Sequence, residues 1–269
     1  MEFKPHPYQE YTIRKTIDNN NIGLLLDMGL GKTVCTLTAI SELMYDYFDI
    51  SKVLVIAPLR VARDTWSSEV KKWEHLKHLK VSKVLGSKLD RVRALSTDSD
   101  IYIINREMVP WIVDFYKRKW PFDMVVIDEL SSFKSNKAQR FKSLKKVLPL
   151  TKRVVGLTGT PTPNSLIDLW AQMYLLDRGE RLGKTITGYK ERYFEPGQKN
   201  YQTGAIYNWQ PKDGAENAIH NKIKDICISL KAEDYLNMPR KIDNKIEIHL
   251  DNKILKYYKE LEKEKILEL

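Results

Sequence analysis

Two cysteines, Cys35 and Cys227, are all that a chain of 269 residues contains. They have no metal-ligand spacing and make no disulfide framework. Both read as small core residues of a protein kept in a reducing compartment. The histidines His6, His75, His78, His220 and His249 also lack ligand spacing, so no metal cluster is expected. No apolar run nears the roughly 20 residues that cross a membrane, and Met1-Glu2-Phe3-Lys4-Pro5 has no signal-peptide character. A cytoplasmic protein without a membrane partner is the expectation. Internal repeats and low-complexity tails are missing too. Positive charge is in surplus. Lys and Arg number 45 against 35 Asp and Glu, a net charge of +10. By itself that leaves nucleic acid, an anionic surface and mere solubility open. A hydrophobic content of 42% suffices for a core, and the length allows one large domain or two modest ones.

The most informative segment is Gly23–Thr33, Gly-Leu-Leu-Leu-Asp-Met-Gly-Leu-Gly-Lys-Thr. A short apolar run stops at a Gly-rich turn that ends in Gly-Lys-Thr. The order is strand, phosphate-cradling loop, helix start. Backbone N–H groups of such a loop and the positive end of the helix dipole face an anion. The Lys reaches the β/γ-phosphates and the Thr hydroxyl binds Mg²⁺. Leu26 stands where the generic G-x-x-x-x-G-K-[ST] pattern has its first Gly. A second Gly-Lys-Thr, Gly183-Lys184-Thr185, has Arg178 at that position and no apolar strand before it, and is rejected.

Five continuous runs rich in Val, Ile and Leu read as strands buried on both faces of a parallel sheet: Gly23–Leu26, Val53–Ala57, Asp100–Ile104, Met124–Ile127 and Arg153–Leu157. Helical patterns lie between them at Thr33–Tyr47, Val61–Trp73 and Ala138–Leu148. Strand–helix alternation predicts a doubly wound α/β domain with ligands at the carboxyl ends of the strands. Those ends are Asp27–Thr33, Pro58–Arg60, Asn105–Glu107, Asp128–Ser132 and Thr158–Pro161. Beyond Leu176 the pattern changes. Tyr201–Trp209 reads as a hairpin, Asn217–Leu230 as a helix, Ile242–Leu250 as a strand and Asn252–Leu269 as a charged helix.

A phosphate loop needs a carboxylate for the Mg²⁺ shell and, for hydrolysis, a base that orients water. Val125-Val126-Ile127-Asp128-Glu129 supplies both at a strand end. The set now resembles superfamily-two helicases of the Swi/Snf type. Asp27–Thr33 is similar to their first motif. Val55-Ile56-Ala57-Pro58-Leu59 with Trp66, Glu69 and Lys72-Trp73 is similar to the second. Asp128-Glu129 with Phe133-Lys134 resembles the Asp-Glu-Ala-His box. Leu157-Thr158-Gly159-Thr160-Pro161 with Asn164, Leu166 and Leu169-Trp170 resembles the third motif. Pro7-Tyr8-Gln9 resembles the adenine-reading segment, and Met238-Pro239-Arg240-Lys241 a segment before a second lobe.

The resemblance implies a RecA-like P-loop NTPase fold, a three-layer α/β/α domain with a mainly parallel central sheet and a small C-terminal subdomain. It divides the chain into an ATP-binding lobe at 1–177, an extension at 178–250 and a helix at 251–269 leading to a second lobe. It implies ATP and Mg²⁺ as ligands and duplex DNA as partner. Gln9 would read adenine, and Met28, Gly29, Leu30, Gly31, Lys32 and Thr33 would cradle the phosphates. Thr33 and Asp128 would hold Mg²⁺, with Glu129 and Lys32 catalytic. Ser131, Thr158, Gly159 and Thr160 would couple the nucleotide to the track. Arg60, Arg63, Asn105 and Lys134 would contact nucleic acid. The box departs from the family at Ser131, which replaces His, and at Leu130, which replaces Ala; Pro163 and Arg60 are further departures. The expected activity is ATP hydrolysis coupled to movement on DNA, with little turnover by these 269 residues alone. A restriction-type motor, an RNA helicase and a nucleotide-binding module without turnover are the alternatives.

Overall fold

The computed structural model describes residues 1–160, 165–197, 208–235, 251, 254–255 and 258–259. The chain divides into two compact units, Met1–Leu236 and Asn237–Leu269. In the second, residues 254–255 and 258–259 are helical. The expected strand Ile242–Leu250 and the segment Met238–Lys241 lie outside the described residues. So do most of the helix expected at Asn252–Leu269, Pro161–Asn164 of the third motif, and most of the hairpin expected at Tyr201–Trp209.

Nine strands are described in the first unit: β1 (Asn21–Leu26), β2 (Val53–Ala57), β3 (Val81–Lys83), β4 (Ile101–Asn105), β5 (Met124–Asp128), β6 (Arg153–Thr158), β7 (Phe194–Pro196), β8 (Trp209–Pro211) and β9 (Cys227–Leu230). Seven form one sheet in the order β3-β4-β2-β5-β6-β1-β9, and every ladder in it is parallel. Strands β7 and β8 make a separate antiparallel ladder. The helices of this unit are α1 (Pro7–Asp18), α2 (Lys32–Tyr45), α3 (Leu59–Arg63), α4 (Thr65–Lys72), α5 (Lys88–Ser96), α6 (Val109–Tyr116), α7 (Gln139–Val147), α8 (Asp168–Asp177), α9 (Ile186–Tyr193), α10 (Ala215–Ile223) and α11 (Ala232–Tyr235).

The continuous apolar runs follow from burial on both faces. In β2, Val53, Val55 and Ala57 join one core cluster with Leu37, Ile40 and Trp66, while Leu54 and Ile56 join the other with Phe122, Leu144 and Met173. Successive side chains of a strand point to opposite faces, so a strand between two helical layers needs apolar residues at every position. The result is the expected α/β/α sandwich with a parallel sheet.

Two of the expected helices differ from expectation. The helix expected over Val61–Trp73 is broken at Asp64, whose φ of −122° and ψ of −49° leave the α region. The buried stripe survives the break, with Ala62 from α3 and Trp66 and Val70 from α4. The helix expected over Asn217–Leu230 stops at Ile223, and Cys227–Leu230 becomes β9, hydrogen-bonded beside β1. Gly23 admits this neighbour, since a Cβ there would lie 3.1 Å from Cys227 Sγ.

Candidate active site

Strand order brings the chemistry together. Strand β6 lies between β5 and β1, so the Asp-Glu pair, the third motif and the phosphate loop occupy three adjacent strand ends. The loop leaves β1 at Leu26. Gly29 and Gly31 both adopt left-handed backbone, at φ 85° and 80°. Between them Leu30 is wholly buried, while Met28 is 87% exposed. Leu30 therefore anchors the loop in the core through its side chain and offers a ligand only its backbone. Turning successive peptides inward in this way aims their N–H groups at an anion, and α2 begins directly behind them at Lys32. Thr33 is the second residue of that helix. The Lys32 ammonium folds back into the loop, donating to Leu26 O at 2.6 Å and Asp27 O at 3.1 Å. Burial lowers its pKa, against the opposing pull of Asp128, Glu129 and Asp27.

Gln9 reaches the loop from the first turn of α1. Its Oε1 accepts the His6 N–H at 2.9 Å and its Nε2 donates to Leu30 O at 3.4 Å. Those two bonds fix which way round the amide lies. Gly31 is favoured by its left-handed φ, and a Cβ there would sit 2.6 Å from Gln9 Nε2 and push the amide out of place. A cleft of about 530 Å³ opens over the loop and is lined by Gln9, Gly29, Gly31, Lys32 and Thr33 together with Phe3, Glu69, Lys72 and Trp73. The Trp73 indole N–H donates to Glu69 at 2.6 Å.

Asp128 closes β5. Its carboxylate accepts the Trp66 indole N–H at 2.9 Å. Burial raises its pKa and the Trp66 bond opposes the rise. Glu129 has left-handed backbone at φ 60°, an uncommon state for a residue with a Cβ and one that clusters at functional sites. One oxygen of its carboxylate, Oε1, accepts two hydroxyls, from Ser131 and, at 3.0 Å, from Thr158. Thr158 in turn accepts the Thr160 N–H at 3.2 Å. A chain of hydrogen bonds thus links the Asp-Glu pair to the third motif. Gly159 lies against β1, where a Cβ would stand 3.4 Å from Leu26 O and 3.9 Å from Lys32 Nζ.

Other expected contacts lie along the same edge. Arg60 and Arg63 are exposed on α3, just past β2. Asn105 ends β4, in register with Ala57, and donates to Glu107 at 3.2 Å. Glu107 also pairs with Arg106 at 2.9 Å. Lys134 lies 4.0 Å from Asp168 in an ion pair. The structure therefore groups Arg60, Arg63 and Asn105 on neighbouring strand ends and directs Lys134 toward α8.

Residue types at the loop suit a magnesium nucleotide. The Thr33 hydroxyl and Asp128 carboxylate are hard oxygen donors, and Mg²⁺ takes one or two such protein ligands with phosphate and water for the rest. Among the described residues no group of three or more His, Cys, Asp and Glu gathers for another metal. None of the described helices is long and apolar enough to cross a membrane. The part sequence reasoning missed is the tether from Trp66 to Asp128. Trp66 was legible as a motif residue and as a core residue, but nothing in one sequence ties an indole to a carboxylate 62 positions away.

Comparison with known proteins bears on the family and the fold. The SNF2-related domain family matches residues 10–269. Protein p41 of Acyrthosiphon pisum secondary endosymbiont phage 1 is 36% identical over 99% of the chain and 59% of its own length. Helicase domino of Drosophila melanogaster is 27% identical over 86% of the chain and 7% of its own length. The Sulfolobus solfataricus SWI2/SNF2 ATPase core in complex with dsDNA superposes with a TM-score of 0.71 at 24% identity, covering 88% of this chain and 47% of that one. The chain thus spans under two thirds of the length of each of these proteins.

Proposed function

This chain belongs to the SNF2-related domain family, and from that premise we propose that it is the ATP-binding lobe of a DNA-dependent ATPase that hydrolyses ATP to move along duplex DNA. The observation that carries the reading is the junction of three strand ends, where Lys32, the Asp128-Glu129 pair and Thr158 converge.

Each residue has a chemical task in this proposal. The left-handed loop at Gly29 and Gly31 receives the phosphates on backbone N–H groups and the α2 terminus. Lys32 exchanges two carbonyl partners for β/γ-phosphate oxygens. Thr33 and Asp128 would hold Mg²⁺, which when bound neutralises the charge that develops on the phosphates. Glu129, held by two hydroxyls on Oε1, orients the attacking water. The products are ADP and inorganic phosphate. Gln9 selects the base: with His6 N–H and Leu30 O fixing the amide, the second lone pair of Oε1 and the second hydrogen of Nε2 match adenine N6–H and N7. Guanine presents an acceptor where the oxygen needs a donor.

Arg60, Arg63, Asn105 and Lys134 are proposed to meet the sugar–phosphate backbone, which gives affinity and register without sequence reading. Two points support DNA as the track: the net charge of +10 and the capture of the Sulfolobus ATPase core with dsDNA. Calorimetric titration with ATP and GTP tests the base-reading part. The wild type should prefer ATP, Lys32→Ala should bind ATP about 10- to 100-fold more weakly, and Gln9→Ala should erase the preference. Equal ATP and GTP affinity in the wild type would refute the adenine assignment.

A further inference from the structure

We infer that residues 227–235 form a nucleotide-responsive element, set by Asp27 and loosened when ATP draws Lys32 away. The inference rests on the reading of the loop as an ATP site, and goes beyond it by naming where binding is felt outside the cleft.

Three bonds meet on Asp27. Its N–H donates to Leu230 O at 3.1 Å, the last rung between β1 and β9. Its Oδ2 accepts the Ala232 N–H, the first of α11, at 3.0 Å. Its own carbonyl accepts the Lys32 ammonium at 3.1 Å, shared with Leu26 O at 2.6 Å. One residue therefore holds the outgoing strand and helix on one side and the phosphate-binding lysine on the other. A second link reaches the base-reading helix: the rings of Tyr8 and Tyr235 lie 4.9 Å apart, and Tyr8 immediately precedes Gln9. Leu230 and Ala232 are half-buried against the same core cluster as Tyr8. The β9–α11 segment thus touches both halves of the nucleotide site without lining the cleft.

The direction of the response follows from which bond is exchanged. A triphosphate competes for the Lys32 ammonium. When the ammonium leaves, the carbonyls of Leu26 and Asp27 lose a charged donor at the strand end where β9 and α11 are pinned. The incoming phosphates also repel the Asp27 carboxylate that holds Ala232. Both changes weaken the pin. Binding a ligand ordinarily slows exchange near it, so a quickening at 228–235 alongside a slowing in the loop is a distinctive signature.

Hydrogen–deuterium exchange on the whole chain, with and without a non-hydrolysable ATP analogue at saturation, reads this directly. Calorimetry run in parallel shows whether the analogue is bound. In the wild type, amides of Gly29–Thr33 should slow, and those of 228–235 should exchange about fivefold faster, the change made by one net hydrogen bond. Ala232→Pro removes the N–H that Asp27 accepts, at a first helical position where proline is tolerated. It should bind the analogue as tightly as the wild type, show fast exchange at 228–235 from the start and gain nothing on binding. Unchanged or slowed exchange at 228–235 in the analogue-bound wild type would overturn the inference while leaving the ATP site standing. The same quickening in Ala232→Pro would overturn it too. Failure of the wild type to bind the analogue would instead overturn the ATP reading, and the inference with it. Should Ala232→Pro not fold, the sign of the wild-type response still decides.

Discussion

Trp66→Phe separates packing from electrostatics at Asp128, the carboxylate proposed for the metal shell. Trp66 is wholly buried and donates its indole N–H to Asp128 at 2.9 Å. The substitution costs some packing at every pH. It also removes a hydrogen bond to a charged group, worth about 1.5–3 kcal/mol. That second part titrates. Burial holds the Asp128 pKa above the ordinary 3.8, so folding favours the protonated acid. The preference adds stability below that ordinary value and is lost as pH rises through the raised one. The indole N–H works the other way, favouring the carboxylate, and its loss raises the folded-state pKa further. The cost of Trp66→Phe should therefore be smallest in acid and grow toward neutral pH. A difference of about 2 kcal/mol corresponds to roughly 4–8 °C in melting temperature for a domain of this size. Thermal melts in EDTA between pH 4 and pH 7.5 measure it. A parallel series in the Asp128→Asn background should lose most of the pH dependence, giving a coupling of about 1–2 kcal/mol by double-mutant cycle. A Trp66→Phe cost that is flat with pH and unchanged by Asp128→Asn would show that the indole acts on packing alone and sink the electrostatic tether.

Three further outcomes are expected. Ser131→Ala takes one of two hydroxyl donors from Glu129, so turnover should fall several-fold with ATP affinity unchanged, as steady-state kinetics beside calorimetry would show; an equal loss in both would point to folding rather than positioning. Arg153 is nearly buried at the amino end of β6 and binds Asp49, Ile17 O and Asn19 O. Arg153→Met should leave the Ile17 and Asn19 carbonyls without this donor and lower unfolding stability by about 1–3 kcal/mol in denaturant titration, without altering ATP affinity. Gly31→Ala meets both a left-handed φ and the Gln9 amide, so calorimetry should show ATP binding drop sharply, while Gly183→Ala, also left-handed at φ 96° but outside the cleft lining, should cost stability and leave binding intact.

The parallel sheet was legible because five of its strands are buried on both faces and leave continuous apolar runs. Strand β3 left no such run: of Val81, Ser82 and Lys83 only Ser82 is buried, and an edge strand needs little apolar surface. Strand β9 was hidden for a related reason. Cys227, Ile228, Ser229 and Leu230 alternate in polarity over too few residues to stand apart from the helix before them, and their place beside β1 is a long-range pairing. The break at Asp64 carries no Pro or Gly to announce it. At the site, the glycine-rich loop and the Asp-Glu pair were readable as local patterns. The tethers that hold them, Trp66 to Asp128, Thr158 to Glu129, and Asp27 to Ala232, join residues whose nearness only the fold decides.

Lys32 and Glu129 are proposed to serve one ATP-hydrolysing site driven by DNA, and everything else in the functional reading depends on that pairing. Steady-state ATPase of the full-length gene product, with and without duplex DNA, puts it to the test beside Lys32→Ala and Glu129→Gln. The wild type should show turnover that DNA stimulates. Lys32→Ala should bind ATP about 10- to 100-fold more weakly and lose turnover, and Glu129→Gln should retain binding with turnover lowered at least about 100-fold. Undiminished turnover in both variants would contradict the assignment.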